Sequence, residues 1–498
     1  MMKLTRRAAL TGGAATLALA ACSPQAGAPS AADIPAPAGF RDGVAIAAAI
    51  AAGETTALAE VEAAIARARA VNGDLNAIVT ETFEMARSDA AGVLSGPFAG
   101  VPSFIKDLID WRGAPTLAGC RGLAGNMATG DGIFASRWRQ AGIVSLGKST
   151  TPEAGLISST EPLLHGPTRN PWDLSRIPGG SSGGAAALVA AGVVPFAHAS
   201  DGGGSIRIPA SSCGLFGLKP SRDRLPYSEP GSNPPPIQIS VNHAVTVSVR
   251  DSIALFQAAE TPGSSGYPAL GNIEPLSRRL RIGFAPEPTG GRPLHPHTRT
   301  ALEETAQLCR DLGHTVIDYT VPMDGMKFLD AFIHYWAAGA ADFARQVSEY
   351  SGQPIGPEIV EPWTLGLAAM AAARQDDLPG LIGYLIGFEA EYHSFFDDVD
   401  ILLTPATGSP AVPVGEQAPD GDFDAVMESV LAFAAYTAPM NVAGAASMSV
   451  PLAWSPDGLP IGAMFSGRRG DDALLFELAL ELEAAKPWAS RKPLITAL

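Results

Sequence analysis

Cysteine, histidine and positive charge are all scarce in this 498-residue sequence. Four cysteines are too few for a disulfide framework, and the eight histidines are scattered without the CxxC or HExxH spacing that is typical of zinc sites. Lysine and arginine number 34 against 50 aspartates and glutamates, and the net charge of −16 repels nucleic-acid phosphates. We therefore expect no bound metal, no cofactor and no nucleic-acid partner.

Long apolar runs are lacking as well. The apolar segment 8–21 has 14 residues, fewer than the ~20 that a membrane-spanning helix needs. Glycine (54) and proline (42) are plentiful but follow no fixed period, which excludes a collagen or a repeat array. Since 46% of the residues are hydrophobic, a large core can form, and we expect a folded protein of enzyme size.

Residues 1–21 have the pattern of an export signal. Arg6 and Arg7 stand just before the apolar segment 8–21, and a short apolar core behind basic residues is typical of a signal peptide. The arginine pair resembles the twin-arginine signal by which bacteria export folded proteins. We therefore expect the protein to act outside the cytoplasm.

A lipid attachment site is indicated at Cys22. Residues 19–22 read Leu-Ala-Ala-Cys and resemble a bacterial lipobox, in which cleavage leaves the cysteine as a lipidated first residue. A plain secretory peptide cut nearby is the alternative, so we expect a periplasmic or a membrane-anchored protein. Residues 22–40 are rich in alanine, proline, glycine and serine and are predicted to be a flexible linker. Residues 41–498 are then predicted to form a single domain.

Hydrophobic spacing along that domain predicts an α/β fold, since a strand, a helix and a strand follow one another after residue 279. The predicted helices cover residues 56–71, 300–312 and 471–485. The predicted strands cover residues 280–284, 314–320, 401–404 and 449–450.

The first segment with chemical potential is the apolar run 101–109, which contains Lys106. A lysine buried in such a run loses solvation, which lowers its pKa and lets the neutral amine accept a proton. The alternative is a lysine that reaches the surface beside Asp107.

The second segment is the glycine-rich sequence Gly-Gly-Ser-Ser-Gly-Gly at 179–184. Its glycines permit unusual backbone geometry, so that a serine hydroxyl can be presented without bulky neighbours. The segment also matches the GxSxG pattern of α/β-hydrolases, which would make Ser181 the nucleophile of an esterase. That alternative needs an acidic residue and a histidine later in the chain; the candidate histidines are His314, His334 and His393.

The third segment is 201–209, in which Ser205 follows three glycines. Consecutive small residues can direct their amides toward one point and stabilise an oxyanion beside the serine. Asp201 and Arg207 flank this serine with opposite charges, and we expect them to pair and brace the loop.

Together the three segments resemble the amidase signature family, and the resemblance continues over most of the chain, through segments 212–220, 402–405, 439–444 and 458–462. It implies the fold of that family, a large, twisted, mixed β-sheet with helices on both faces. It also implies a triad of a serine, a second serine on a cis peptide bond, and a lysine. Here these residues are Ser205, Ser181 and Lys106.

The family resemblance further implies a role for each residue. Ser205 attacks the amide carbonyl, Ser181 relays the proton to Lys106, and Ser182 supports the relay by hydrogen bonding. His198 is expected to be a core residue near the site and not the base.

An oxyanion hole is implied at the backbone amides of Gly202, Gly203, Gly204 and Ser205. Many members carry a larger residue at the position of Gly202, and the glycine here predicts a roomier loop.

Within the family, segments 168–173, 197–204 and 245–251 resemble the branch of the 6-aminohexanoate cyclic dimer hydrolases. The substrate is therefore expected to be a small molecule with a secondary or cyclic amide. A lipoprotein that binds ligands without catalysis remains an alternative. Residues 332–343, aromatic and small by turns, are expected to form one pocket wall or ordinary helix core.

Overall fold

A computed structural model describes residues 31, 34–37, 39–227, 234–260, 266–434 and 436–498. The predicted export signal and Cys22 lie outside the described residues. Within the described part of the chain, every helix is too short or too polar to cross a lipid bilayer.

The described helices and strands alternate along most of the chain. The helices are α1 Gly43–Ala51, α2 Ala57–Leu75, α3 Phe83–Ala91, α4 Ile133–Gln140, α5 Gly183–Ala190, α6 Arg207–Cys213, α7 Val249–Ala259, α8 Pro296–Asp311, α9 Gly325–Ser351, α10 Pro362–Ala373, α11 Leu378–His393, α12 Phe423–Phe433, α13 Ala438–Val442 and α14 Asp472–Ala485. The strands are β1 Ile78–Glu81, β2 Pro102–Lys106, β3 Val144–Ser149, β4 Phe196–Asp201, β5 Phe216–Lys219, β6 Val241–Thr246, β7 Arg281–Phe284, β8 Thr315–Asp318, β9 Ile401–Pro405, β10 Ser447–Trp454 and β11 Pro460–Ser466.

Eight of these strands form one mixed sheet in the order β4-β6-β5-β10-β11-β9-β7-β8. Strand β7 pairs in parallel with β8 and β9, and the other pairs in this sheet are antiparallel. A smaller sheet has the order β1-β3-β2. The expected large mixed sheet is therefore confirmed.

Helices cover both faces of the large sheet because its strands are apolar on both sides. Successive side chains of a strand point to opposite faces, and in β6 Ala244 and Val245 belong to different hydrophobic clusters. Ala244 packs in the cluster that includes α7 and α14, whereas Val245 packs in the cluster that includes α2 and α5. The helices on the two faces thus bury two separate apolar surfaces.

The predicted elements are all present, with shifted ends. Helix α2 begins after Thr56, whose side chain accepts a hydrogen bond from the Ala59 amide at 3.1 Å. The strand predicted at 449–450 is much longer, and it spans Ser447–Trp454. The two buried serines, Ser447 and Ser449, interrupt the apolar pattern from which a strand is recognised in sequence.

The end of the predicted linker is not free. Ala31 is buried, and Ile34 packs against the core. The Ile34 carbonyl accepts a hydrogen bond from Arg250 at 2.7 Å, and the same guanidinium pairs with Asp42, which caps α1. The prediction of a flexible segment up to residue 40 is therefore wrong for these residues, because their apolar side chains find a surface on the folded body.

Three pieces of this architecture converge on one point. Strand β2 ends at Lys106, Ser181 lies two residues before the start of α5, and Ser205 lies in the loop between β4 and α6. Because β2 lies beside β4 and α5 packs against both strands, residues far apart in sequence meet at the ends of these elements.

Candidate active site

Lys106 is completely buried, and its ammonium nitrogen lies 2.7 Å from Ser181 Oγ. A second hydroxyl, Ser200 Oγ, lies 3.0 Å from the same nitrogen. Burial lowers the pKa of Lys106 from 10.5 to about 7, while the charge of Asp201 acts in the opposite direction. The side chain can therefore be neutral at ordinary pH and can accept a proton from a hydroxyl.

The alternative of a surface lysine beside Asp107 is wrong. Asp107 is buried as well, and it pairs with Lys148 at 3.0 Å. Lys106, one residue before Asp107, points to the other side of the sheet, because successive side chains along an extended chain alternate. The apolar run therefore buries both side chains, and of the two only Asp107 has an ion-pair partner among the described residues.

Ser181 follows a cis peptide bond with Gly180, as the family resemblance implied. Gly155 stands directly opposite its hydroxyl. A Cβ at Gly155 would lie 2.9 Å from Ser181 Oγ, and its φ of +71° is one that side chains rarely adopt. The absence of a side chain there keeps room beside the hydroxyl, a constraint that the sequence analysis missed.

Ser200 is a second residue that the sequence analysis missed. It holds Lys106 through its hydroxyl, and its backbone N–H donates to Ser182 Oγ at 3.3 Å. Ser182 Oγ donates in turn to the Ser200 carbonyl at 3.3 Å. Among the described residues Ser182 forms no direct hydrogen bond with Lys106, and Ser200 links the two side chains. The period of two along β4, which puts Ser200 on the same face as His198, is the sequence signal that could have identified it.

Ser205 presents its hydroxyl to a cavity and has no hydrogen-bond partner for it among the described residues. The loop that carries it is held by an ion pair between Asp201 and Arg207, at 2.9 Å and fully buried, as expected. Asn441 completes this cluster, because it donates to Asp201 Oδ1 at 2.8 Å and accepts from Arg207 at 2.6 Å.

The charge of Asp201 is maintained by its partners. Burial alone would raise its pKa, but the ion pair with Arg207 and the hydrogen bonds from Arg207 and Asn441 outweigh burial and hold the pKa well below its usual range. The carboxylate also accepts from the backbone amides of Gly204 at 2.7 Å and Ile206 at 3.1 Å. It therefore organises the backbone on both sides of Ser205.

The hydrogen bond from Gly204 corrects one prediction. Its amide hydrogen is already bound to Asp201 Oδ1, so this amide is not available to an oxyanion. Within the described part of the chain, the amides of Gly202, Gly203 and Ser205 have no hydrogen-bond partner. These three amides are the candidates for an oxyanion hole.

The prediction of a roomier loop at Gly202 is wrong as well. A Cβ at this position would lie 2.7 Å from Ser240 Oγ and 3.4 Å from the Trp336 ring. The space that a larger residue would take is therefore already filled, in part by an indole from α9. A larger residue would have to displace the Ser240 hydroxyl and would contact the indole, so the glycine leaves no additional room.

The histidines do not support the esterase alternative. His198 is buried, and its Nδ1 accepts from the Lys106 backbone amide at 3.2 Å, so it is a core residue as expected. Burial lowers its pKa to about 3. His314 pairs with Glu481, and His334 pairs with Asp330. Among the described residues, no histidine contacts Ser181, whose hydroxyl is bound by Lys106.

The cavity in front of Ser205 is apolar. Gly203 and Ser205 are among the residues that line it, and the other lining side chains are mostly aliphatic or aromatic. Phe332 and Trp336 also line the cavity. The segment 332–343 therefore contributes a pocket wall, which was one of the two expectations for it. The same segment is part of helix α9. Three or more metal-ligating side chains do not come together anywhere in the described part of the chain.

Three comparisons with known proteins point to one family. A family model described as Amidase matches residues 59–476. The chain is 41% identical over 453 residues to "Putative amidase AmiC" of Mycobacterium leprae, with 91% of this chain and 96% of that protein covered. It is 34% identical over 486 residues to the 6-aminohexanoate-cyclic-dimer hydrolase of Paenarthrobacter ureafaciens, with 91% and 96% covered. A solved structure of a 6-aminohexanoate cyclic dimer hydrolase superimposes with a TM-score of 0.81 at 31% identity, covering 91% of this chain and 98% of that one.

Proposed function

Because the chain belongs to the amidase signature family and is a hydrolase of carbon–nitrogen amide bonds, we propose that Ser205, Ser181 and Lys106 carry out this hydrolysis through an acyl-enzyme. The observation that carries the proposal is the buried contact of 2.7 Å between Lys106 Nζ and Ser181 Oγ. A lysine with a pKa of about 7 provides a base strong enough to draw a proton through a serine at neutral pH.

The acylation step begins with attack of Ser205 Oγ on the amide carbonyl carbon. Its proton passes to Ser181 Oγ, and the Ser181 proton passes to neutral Lys106. The tetrahedral intermediate then collapses, the carbon–nitrogen bond breaks, and the leaving amine receives a proton from Lys106 through Ser181. An ester between the acyl group and Ser205 remains.

Deacylation uses the same groups with water as the nucleophile. Water attacks the ester carbonyl and gives one proton through Ser181 to neutral Lys106. The bond between the acyl carbon and Ser205 Oγ then breaks, and Ser205 receives this proton back from Lys106 through Ser181. In both steps the negative charge on the carbonyl oxygen is stabilised by the amides of Gly202, Gly203 and Ser205. One donor of this kind is typically worth ~10²–10³ in rate.

The substrate is proposed to be a small molecule with a secondary or cyclic amide. The support is the similarity to proteins named 6-aminohexanoate-cyclic-dimer hydrolase. We would incubate the mature protein and its Ser205→Ala variant with primary, linear secondary, cyclic and aryl amides and measure ammonia and newly freed amine in parallel. Freed amine from secondary or cyclic amides, absent in the variant, is the expected result. Ammonia alone would contradict the secondary-amide proposal.

The nucleophile is tested separately by mass spectrometry after reaction with an activated phosphonate. We expect a single adduct, on the peptide that contains Ser205, and none in Ser205→Ala. An adduct on Ser181 would contradict the proposed mechanism and favour the esterase alternative. A wild-type protein that binds amides without forming any adduct would favour the non-catalytic alternative.

We further propose that the protein is exported, either to the periplasm or to a membrane through lipidated Cys22. The support is the sequence of residues 1–22. In the native host, cell fractionation and labelling with a radioactive fatty acid test the two forms. Label that disappears in Cys22→Ser supports the lipoprotein, and unlabelled periplasmic protein supports the cleaved form. Full-length protein in the cytoplasm would contradict both.

A further inference from the structure

We propose that the cavity in front of Ser205 selects amides whose acyl part is an uncharged aromatic group, and that Trp336 determines this selectivity. The inference rests on the proposed function, because it concerns the substrate of the same serine. It goes further by assigning the acyl part to one cavity and by naming the chemical class that this cavity accepts and the class that it rejects.

The first argument is charge. None of the 18 residues that line the cavity has a titratable side chain. Its two hydroxyls are those of Ser205 and Ser158, and Ser158 already donates to Gln417 Oε1 at 2.8 Å. A carboxylate or ammonium in the cavity would lose its hydration without finding a partner, and burial of an unpaired charge is strongly unfavourable.

The second argument is the aromatic wall. Both Trp336 Nε1 and Trp363 Nε1 donate to the Leu156 carbonyl, at 3.1 and 3.0 Å. Because their N–H groups are satisfied there, the two indoles offer only carbon surface to the cavity. The Phe332 ring lies 5.8 Å from the Trp336 ring, centre to centre. The wall is thus held in place by hydrogen bonds and aromatic contacts before any substrate binds.

The third argument is position. The Trp336 ring lies against Gly202, and the Phe332 ring lies 3.3 Å from the place where a Cβ of Gly203 would be. The wall therefore stands directly over the amides that face the carbonyl oxygen. A group on the carbonyl carbon that enters the cavity therefore meets the rings of Trp336 and Phe332.

The assignment to the acyl part follows from the path of the proton. The leaving nitrogen must lie close to Ser181, which returns the proton through its contact with Lys106. Ser205 and Gly203 line the cavity, whereas Ser181 and Lys106 do not. The acyl part is therefore assigned to the apolar space around Ser205, and the side of the cavity at Gly155, next to the Ser181 hydroxyl, lies nearest the leaving nitrogen.

The test is a matched series of anilides. For the wild-type protein we expect kcat/KM to be about 10–100 times higher for phenylacetanilide than for acetanilide, because a buried phenyl ring leaves water. In 4-carboxyphenylacetanilide the carboxylate is on the phenyl ring of the acyl part. We expect this compound to react at least ~100 times more slowly than phenylacetanilide. On the amine side, 4-acetamidobenzoate and acetanilide should differ by less than about 5-fold. If kcat/KM depends on a charge in the amine part of the substrate and not on a charge in the acyl part, the assignment is overturned.

Two variants test the residues. Trp336→Leu should reduce the phenylacetanilide to acetanilide ratio about 10-fold, whereas Trp454→Leu, which changes a tryptophan that does not line the cavity, should not. Met427→Lys places a cation in the cavity and should raise relative activity on 4-carboxyphenylacetanilide at least ~10-fold. The matched control is Met326→Lys, on the exposed side of α9. If the phenylacetanilide to acetanilide ratio is the same in Trp336→Leu and Trp454→Leu, or the relative activity on 4-carboxyphenylacetanilide is the same in Met427→Lys and Met326→Lys, the role of the cavity is overturned.

Binding measurements separate failure of this inference from failure of the proposed function. Calorimetry with Ser205→Ala should detect phenylacetanilide and not its carboxylated analogue, whether or not any anilide is cleaved. If the wild type cleaves all anilides equally, the proposed function stands and the selectivity is wrong. If the wild type cleaves none and forms no phosphonate adduct, the proposed function is wrong, while the calorimetric preference alone decides whether the cavity selects uncharged aromatic groups.

Discussion

Replacement of Lys106 by methionine is the sharpest test of the proposed base. The substitution keeps a flexible chain of similar length in a fully buried position but removes the amine. General bases typically contribute ~10²–10⁴ to the rate, so we expect kcat/KM for a good amide substrate to fall by that factor. The fold should persist, because the change removes a buried amine that forms no ion pair with a described residue.

The magnitude follows from the pKa. Burial lowers the pKa of Lys106 from 10.5 to about 7, which corresponds to roughly 5 kcal/mol between its charged and neutral forms. At pH 7.5 such a lysine is about three-quarters neutral, whereas an ordinary lysine is about 0.1% neutral. Since the proposed mechanism uses the neutral form, kcat/KM of the wild type should rise with pH, with a midpoint near pH 7, and level off at higher pH.

The assay is the pH dependence of kcat/KM between pH 5 and 9, and Lys219 provides the control. Lys219 is also fully buried, burial lowers its pKa to about 7, and it donates to the Pro220 carbonyl at 2.7 Å. Lys219→Met should retain the rising limb, and Lys106→Met should lose it. A limb that persists in Lys106→Met, or disappears only in Lys219→Met, would refute the assignment of the base.

Three further outcomes are expected. Gly155→Ala places a Cβ 2.9 Å from Ser181 Oγ, so kcat should fall at least ~10-fold while the circular dichroism spectrum stays unchanged. An unchanged kcat would show that the Ser181 hydroxyl does not need the space beside Gly155. Asn441→Ala removes donors to Asp201 and should lower the free energy of unfolding by about 1–3 kcal/mol in urea titrations, whereas wild-type stability would show that the ion pair suffices. Burial raises the pKa of Glu361 to about 8, with a contribution from Glu153. The folded state therefore favours the protonated form, and wild-type stability should fall from about pH 4.5 to 8. In Glu361→Gln this fall should be smaller in thermal unfolding, and an equal fall in both proteins would contradict the shifted pKa.

Much of the candidate site could be predicted because its signals are local. Lys106 lies in an apolar run, and Ser181 and Ser205 lie in glycine-rich segments, so the residue types and their immediate neighbours already indicate the chemistry. The fold class followed in the same way from the alternation of strands and helices. Each of these patterns extends over fewer than about 20 residues, within the range that hydrophobic periodicity and turn residues describe.

The wrong predictions about the oxyanion loop have different causes. The Gly204 amide is taken by Asp201, only three residues earlier, whereas the space beside Gly202 is occupied in part by Trp336, which comes from a helix more than a hundred residues later. Asn441 stands 240 residues from the aspartate that it supports. No local pattern reports which side chain will occupy the space beside a given backbone atom.

The sequence by itself thus determined which residues can react, because lysine, serine and glycine have their chemistry and conformational freedom wherever they stand. The tertiary structure decided which of them can react together. It removed Lys106 from water, placed its amine 2.7 Å from Ser181, and packed the Trp336 and Phe332 rings against the glycines that precede Ser205. These outcomes depend on burial and on distance, and both arise only when strands and helices that are far apart in the chain pack against one another.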